Sequence, residues 1–236
     1  MTTAMTLAVL MAVSTVPELA SDLSEARRSW DADAVVAVQS RVRSELRDST
    51  DDEAVRLRVR SGLAVAEILR VEYERVPTDR GDARRVLGDR IDAAAEEALS
   101  LLDQLPESSD RERMRADLLA TMIRSDYRAK RFEPELRAAV DRALELDPDN
   151  PLAHVAAAKP LLFAPEDRGR DVDAALEHLD RALALDPRSE SARLLRAAAR
   201  ELAGDVDGSR DDARAALAAN PSCAPARRML EHLGGS

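Results

Sequence analysis

Residues 143–151 read ALELDPDNP, residues 182–188 read ALALDPR, and residues 216–221 read ALAANP. Each phrase is the close of a helix. The alanine has no bulk, so a neighbouring element can come near. The leucine pair of the first two phrases closes the core. Proline then cannot continue the helix, and the chain turns. Pro187 to Pro221 spans 34 residues and Pro148 to Pro187 spans 39. A helix ending that recurs at such a period marks a repeated helix–turn–helix unit. One hairpin cannot bury its apolar face alone and has to stack on the next.

Working outward, the rest of the chain obeys the same grammar. Thr50-x-x-Glu53 and Ser109-x-x-Glu112 have the form of capping boxes, each opening an apolar-periodic run. Asn150-Pro151 fits an N-cap with proline at the first helical position. Gly204-Asp205 reads as a helix-ending glycine followed by the next N-cap, and Asp171 as another N-cap. Helices are expected near 21–30, 32–48, 51–76, 82–105, 110–130, 133–147, 151–159, 171–186, 189–203, 206–219 and 223–233. The helix at 51–76 has two apolar stripes, one through Val55, Val59, Leu63, Ala66 and Leu69, the other through Leu57, Ser61, Ala64 and Ile68. Two faces suit a helix packed between layers, whereas the single stripe of Val172, Ala175, Leu179, Ala182 and Leu183 suits a helix buried on one side.

Composition agrees with an all-α chain. Aromatic residues are 2% of the 236, so the core cannot be built from rings and has to come from closely approaching Ala, Leu and Val faces. Glycines number 8, and no Val/Ile/Thr alternation of a strand is present. The formal net charge of −10 argues against a duplex nucleic acid partner, which needs a basic footprint. Cys223 is the single cysteine, read as a buried thiol, and it excludes an internal disulfide.

The first twenty residues carry no Lys or Arg, and their apolar stretch from Leu7 to Val16 is too short to span a bilayer. It has the length of a signal-peptide core, with Ala12-Val13-Ser14 or Ala20 as cleavage options. This sets an exported, periplasmic chain against a cytoplasmic one with a disordered or helical start. No other stretch reads as an integral membrane span.

A catalytic set is not apparent. His154, His178 and His232 lie apart in sequence and read as solvated side chains; no metal-binding, nucleophile or phosphate-loop motif occurs. The acidic stretch 166–173 lacks calcium-loop spacing, and its arginines would repel the ion. No enzyme activity, cofactor or metal is expected.

The 34-residue unit with its closing proline resembles the tetratricopeptide repeat. Counted back from Pro148, a first unit at 117–150 matches the family at Ile123, Tyr127 and Ala143, and departs from it at Ala120, Leu136 and Val140. A second, 151–189, matches at Ala175, Leu179, Ala182 and Pro187, with a first helix cut short by Pro160. A third, 190–223, matches at Gly204, Asp205, Ala216 and Pro221. It departs at Arg193, Arg196 and Arg200, so either the register slips onto Leu194 and Leu195 or that face is solvated. Residues 1–20 form a signal-like or disordered start, 21–109 degenerate hairpins of the same style, and 224–236 a solvating end helix and tail.

The resemblance implies an all-α, right-handed superhelical array of antiparallel helix pairs, a solenoid whose concave groove is lined by the first helix of each unit. Family positions facing that groove fall on Leu118, Thr121, Ser125, Arg128, Val155 and Lys159. Where clamp-type members carry Lys and Asn to hold a peptide carboxylate, this chain has Thr121 and Ser125, so that clamp is not expected. The implied partner is a protein or peptide. The odd segment 159–171, with Leu161, Leu162 and Phe163 among prolines, either covers the core where the helix is short or meets a ligand. It could equally be a self-association patch that makes a homo-oligomer. The extended middle unit is also similar to exported repeat proteins of tripartite, TRAP-type transporters. That similarity implies contact with a small solute or a solute-binding protein.

Overall fold

A computed structural model describes residues 14–165 and 169–234 of the chain, so most of the signal-like stretch lies outside the described residues. Eleven helices are described, running α1 (Val16–Ser29), α2 (Ala32–Glu45), α3 (Asp52–Arg75), α4 (Gly81–Leu102), α5 (Ser109–Met122), α6 (Asp126–Leu146), α7 (Pro151–Phe163), α8 (Val172–Leu185), α9 (Glu190–Leu202), α10 (Val206–Ala219) and α11 (Ala224–His232). Each odd-numbered helix up to α9 packs on the even one after it, and each pair packs on the next. Along the inside, α1 touches α3, α3 touches α5, α5 touches α7 and α7 touches α9. No described helix is long and apolar enough to cross a membrane.

The recurring phrase produces three superposable turns. The N–H groups of Asp147, Asp186 and Asn220 donate to the carbonyls of Ala143, Ala182 and Ala216 at 3.1, 2.8 and 2.9 Å. Those three alanines are fully buried. Three residues on, Asn150, Ser189 and Cys223 each donate back to the residue before the proline, and each is the N-cap of the following helix. Pro148, Pro187 and Pro221 sit inside these turns, where no helical N–H is wanted.

Two other prolines behave differently. α6 starts at Asp126, capped by Ser125, and runs through Pro134; α7 runs through Pro160 to Phe163. The expected start at 133 and the expected stop at 159 are therefore both corrected. An interior proline costs about 3 kcal/mol. In α7 the extra turn buries Leu162 in the cluster with Val155, Leu179 and Leu183, a gain of comparable size. In α6, Phe132, Leu136 and Val140 join the cluster between α5, α6 and α7. The α5–α6 hairpin consequently begins at Ser109, ahead of the unit counted back from Pro148.

Caps shift by one residue in two places. Asp51 rather than Thr50 caps α3, accepting from Glu53 N and Ala54 N at 3.1 Å each. Ser108 rather than Ser109 caps α5, and the Ser109 hydroxyl instead accepts from Asn150 Nδ2 at 2.8 Å, tying α5 to the head of α7. A reciprocal capping box does open α1, where Thr15 and Glu18 bond each other's backbone. Leu19 and Leu23 of that helix are buried.

The largest core cluster lies under α1–α5, with Val35, Val55, Val59, Leu69, Ile91, Leu102, Met114 and Leu118 among its members. α3 buries residues on every side, as its two stripes require. Its Gly62 lets α4 come close: a Cβ there would lie 2.9 Å from Ala98 Cβ and 3.2 Å from Ala94 O. At the far end, the α9–α10 hairpin resolves the question posed by Arg193, Arg196 and Arg200. Leu194 and Leu195 do pack into neighbouring clusters, but the arginine face is not solvated. Arg196 grips Asp212 through Nε and Nη2 at 2.8 and 2.7 Å, and Arg200 Nη1 adds a third bond at 2.9 Å. Asp212 is 3% exposed.

The two ends of the array meet. The Trp30 indole N–H donates to Glu190 Oε1 at 3.1 Å. Asn220 Nδ2 donates to Glu190 Oε2 and to Arg28 O, at 2.9 and 3.1 Å. Arg28 in turn donates to Ala219 O. Trp30 ends α1 with φ 56°, a left-handed conformation that costs a non-glycine residue about 1–2 kcal/mol. Its ring packs against Ala216, Cys223 and Ala226 of the last hairpin. Burial, foremost, holds the Cys223 thiol up at about 12, so it stays protonated.

Candidate functional site on the inner helices

The odd-numbered helices turn a charged stripe toward one another. On α3, Arg56, Arg60 and Glu67 share a face at helical spacing; on α5, Asp110, Arg113 and Asp117 do the same. These join across helices into one chain of ion pairs. Arg27 of α1 meets Glu67 at 3.0 Å, Glu67 meets Lys159 of α7 at 3.6 Å, and Lys159 meets Asp117 at 2.5 Å. Asp117 meets Arg113 at 3.1 Å, Arg113 meets Asp110, and Asp110 meets Arg56 at 3.6 Å.

Burial raises the carboxyl pKa of Asp117, but Lys159 and Arg113 outweigh it and hold that pKa below the usual carboxylate value. Burial likewise pulls the Lys159 ammonium down, and Asp117 and Glu67 more than restore it, so its pKa stands above an ordinary lysine's. Both groups are therefore charged at neutral pH.

The chain of pairs carries four cations and three anions. Arg60, an exposed side chain near it, adds a fifth cation: its guanidinium makes no hydrogen bond or ion pair with the described residues. Partial burial, then the nearby Arg27, Arg113 and Arg56, lower its pKa, against the pull of Asp110. Arg113 also keeps its Nε buried without an acceptor. With Arg60 included, this cluster holds two more cations than anions, in a protein of net charge −10.

Of the six groove positions named from the sequence, Lys159 lies in this network. Leu118 and Val155 are core residues with 0% and 4% exposure. The Thr121 hydroxyl is buried and donates to Leu118 O at 2.7 Å. Ser125 is the cap of α6. Arg128 pairs with Asp92 at 2.7 Å, bonds Met122 O and lies over the Phe132 ring. The remaining members of the charged stripe stay hidden when α3 is weighed by its apolar stripes alone. The i, i+4 spacing of Arg56–Arg60 and of Arg113–Asp117 is the signal that could have found them.

The segment after Pro160 divides. Leu162 is buried, Leu161 packs against the same cluster, and Phe163 is 67% exposed. Phe163 lines an open hollow of about 600 Å³ with Leu162, Arg170, Ala198, Glu201 and Leu202. The histidines also divide. His232 is exposed beside Glu201, but His154 and His178, which are separate in sequence, bring their Nδ1 atoms to 3.0 Å because antiparallel α7 and α8 align them.

No protein-family model matches the sequence, and neither does any curated protein. Among solved structures, the chain is similar to a thermophilic TPR protein of Thermus thermophilus, with a TM-score of 0.61 and 15% identity over 91% of this chain and 98% of that one. YrrB, a TPR protein with an unusual peptide-binding site, overlays with a TM-score of 0.43 and 15% identity, covering 92% of this chain and all of that one. The fold is that of the tetratricopeptide-repeat proteins, on the strength of the first overlay. That overlay extends over N-terminal hairpins that lack the repeated phrase. Neither match bears on a TRAP-type transporter.

Proposed function

We propose that this chain is a non-catalytic helical-repeat interaction protein that takes an acidic, extended segment of a protein partner on the inner face of α1, α3 and α5. The observation that carries the reading is Arg60, a cation without a carboxylate among three other arginines, with the neighbouring carboxylates already engaged. A carboxylate of the partner supplies the missing anion and a charge-assisted hydrogen bond. Fold by itself does not give function; here the fold supplies the concave face and the charge imbalance supplies the selectivity.

The test is fluorescence anisotropy with a labelled Asp/Glu-rich peptide and a Lys-rich peptide of equal length. The acidic peptide binds, its affinity falls as salt rises, and Arg60→Glu weakens it by about tenfold or more, as expected for turning an attraction into a repulsion. Equal binding of both peptides, or an Arg60→Glu variant that binds as the parent does, overturns the reading.

A further inference from the structure

We propose that His154 and His178 form a two-histidine chelate for a divalent transition-metal ion of the copper and nickel class. The pair sits where α7 and α8 face each other, away from the charged stripe of α3 and α5. Its rings are tilted by 42° with centroids 5.3 Å apart, and the two Nδ1 atoms approach to 3.0 Å.

Three features prepare the pair for a metal. First, the His154 tautomer is fixed. Its Nε2 lies 2.9 Å from Pro148 O, a carbonyl that can only accept, so Nε2 carries a proton and in the neutral ring the Nδ1 lone pair faces His178 Nδ1. An outer carbonyl that receives the second ring N–H is the usual support of a metal-bound histidine. Here that carbonyl belongs to the helix-closing turn itself. Second, His178 is neutral near pH 7: burial, then the neighbouring His154, lower its pKa against a smaller pull from Glu177. As the metal enters, the Nδ1 proton of the neutral His178 ring is exchanged through solvent to Nε2, so no proton is released on balance and both Nδ1 atoms become donors. Third, neither ring is fully buried, so an ion can reach the gap.

Geometry selects the class of ion. With metal–nitrogen bonds of about 2.0–2.1 Å, a 3.0 Å separation corresponds to an angle of about 95° at the metal. That is the cis arrangement of square-planar or octahedral Cu²⁺ and Ni²⁺, and a tetrahedral Zn²⁺ would need the rings to part. Among the described residues no third His, Cys, Asp or Glu completes the set, so water fills the other positions. The ion is exchangeable, and the Irving–Williams order places Cu²⁺ first.

The experiment titrates the full chain with CuCl₂, NiCl₂ and ZnCl₂ by calorimetry in a non-coordinating buffer. One equivalent of Cu²⁺ binds tightest, with nitrogen hyperfine structure from two imidazoles in its electron paramagnetic resonance spectrum. His154→Gln and His178→Gln each weaken binding at least tenfold, and His232→Gln leaves it unchanged. Should the two variants lose their fold, imidazole resonances of the unaltered protein give the same decision: substoichiometric Cu²⁺, being paramagnetic, broadens those of His154 and His178 and spares those of His232. Cu²⁺ affinity unchanged in both variants, or broadening absent from both rings, overturns the proposal.

Discussion

The α3–α4 hairpin and the α9–α10 hairpin occupy equivalent places in the array and are held together by different physics. Between α3 and α4 the contact is aliphatic, with Leu69, Ile91, Ala95, Ala98 and Leu102 buried and Gly62 letting the backbones close. Between α9 and α10 the buried side chains are alanines, Ser209 and Asp212, and the long side chains at the contact are Arg196 and Arg200. The repeated phrase closes α10 and is absent from α4. Fidelity to the repeat and depth of core therefore run in opposite directions along the chain. The phrase encodes where a helix stops; it does not encode what fills the space between two helices.

The difference should show first in the cost of a cavity. Leu102→Ala removes a fully buried side chain from the aliphatic cluster; the expected loss is about 2–5 kcal/mol, read by urea denaturation. The matched change at the other end, Leu194→Ala, acts on a half-buried residue and should cost about 1 kcal/mol, since partial burial scales the transfer energy down. Equal losses at the two sites would mean that the array melts as one cooperative body with no weaker end.

Next in size is Asp212→Ala. It strands Arg196 and Arg200 at an interface that is otherwise closed. Removing one partner of a buried pair costs about 3–5 kcal/mol, and the partial exposure of both arginines brings the expectation down to about 2–3 kcal/mol. Backbone hydrogen exchange should rise in α9 and α10 and stay unchanged in α3 and α4. A loss spread evenly over all hairpins would remove the distinction between the two regions.

Much of this was legible in the sequence because it is written in local chemistry. Ala143, Ala182 and Ala216 before their prolines, Asn150-Pro151 and Gly204-Asp205 each act within four residues of chain. What was illegible depends on partners from distant helices. Pro134 and Pro160 look like boundaries because the burial of Phe132, Leu136 and Leu162 that holds those helices together involves other elements. Arg196 looks either misregistered or solvated because Asp212 lies on the next helix. Arg60 gives no sign as a site residue, since its significance is that neighbouring carboxylates are taken by other cations. Leu118 and Val155 carry family positions into this chain, but packing puts them in the core.

Mild acid separates the regions by a different route. His178 has its folded pKa below the unfolded value near 6.5, chiefly through burial and then through His154. The unfolded chain then binds more protons as pH falls below that value, so stability drops until the folded pKa is passed. The α7–α8 hairpin should loosen between pH 7 and 5, read by hydrogen exchange, while α3–α4, which holds no histidine, stays protected. Further acidification reaches Asp117, whose folded pKa is depressed by Lys159 and Arg113 against burial. Its contribution is present above the unfolded value of about 3.9 and is lost as pH falls through the folded one. His178→Gln should flatten the first step and leave the second in place.

The smallest expected effect concerns the contact that ties the well-packed end to the thin one. Glu190→Ala removes the acceptor of both Trp30 Nε1 and Asn220 Nδ2, a loss of about 1 kcal/mol for half-exposed hydrogen bonds. Trp30 is the single tryptophan, so its emission reports the contact directly. It should shift to longer wavelength and become more accessible to acrylamide. Cys223, buried under the same ring, should react faster with a thiol reagent, and the α9–α10 exchange rates should rise with it. If Trp30 loosens while Cys223 and α10 keep their protection, the alanine-and-arginine hairpin is stable on its own ion pairs. If all three change together, the left-handed turn at Trp30 is strain that α1 carries in order to hold the other end of the array shut.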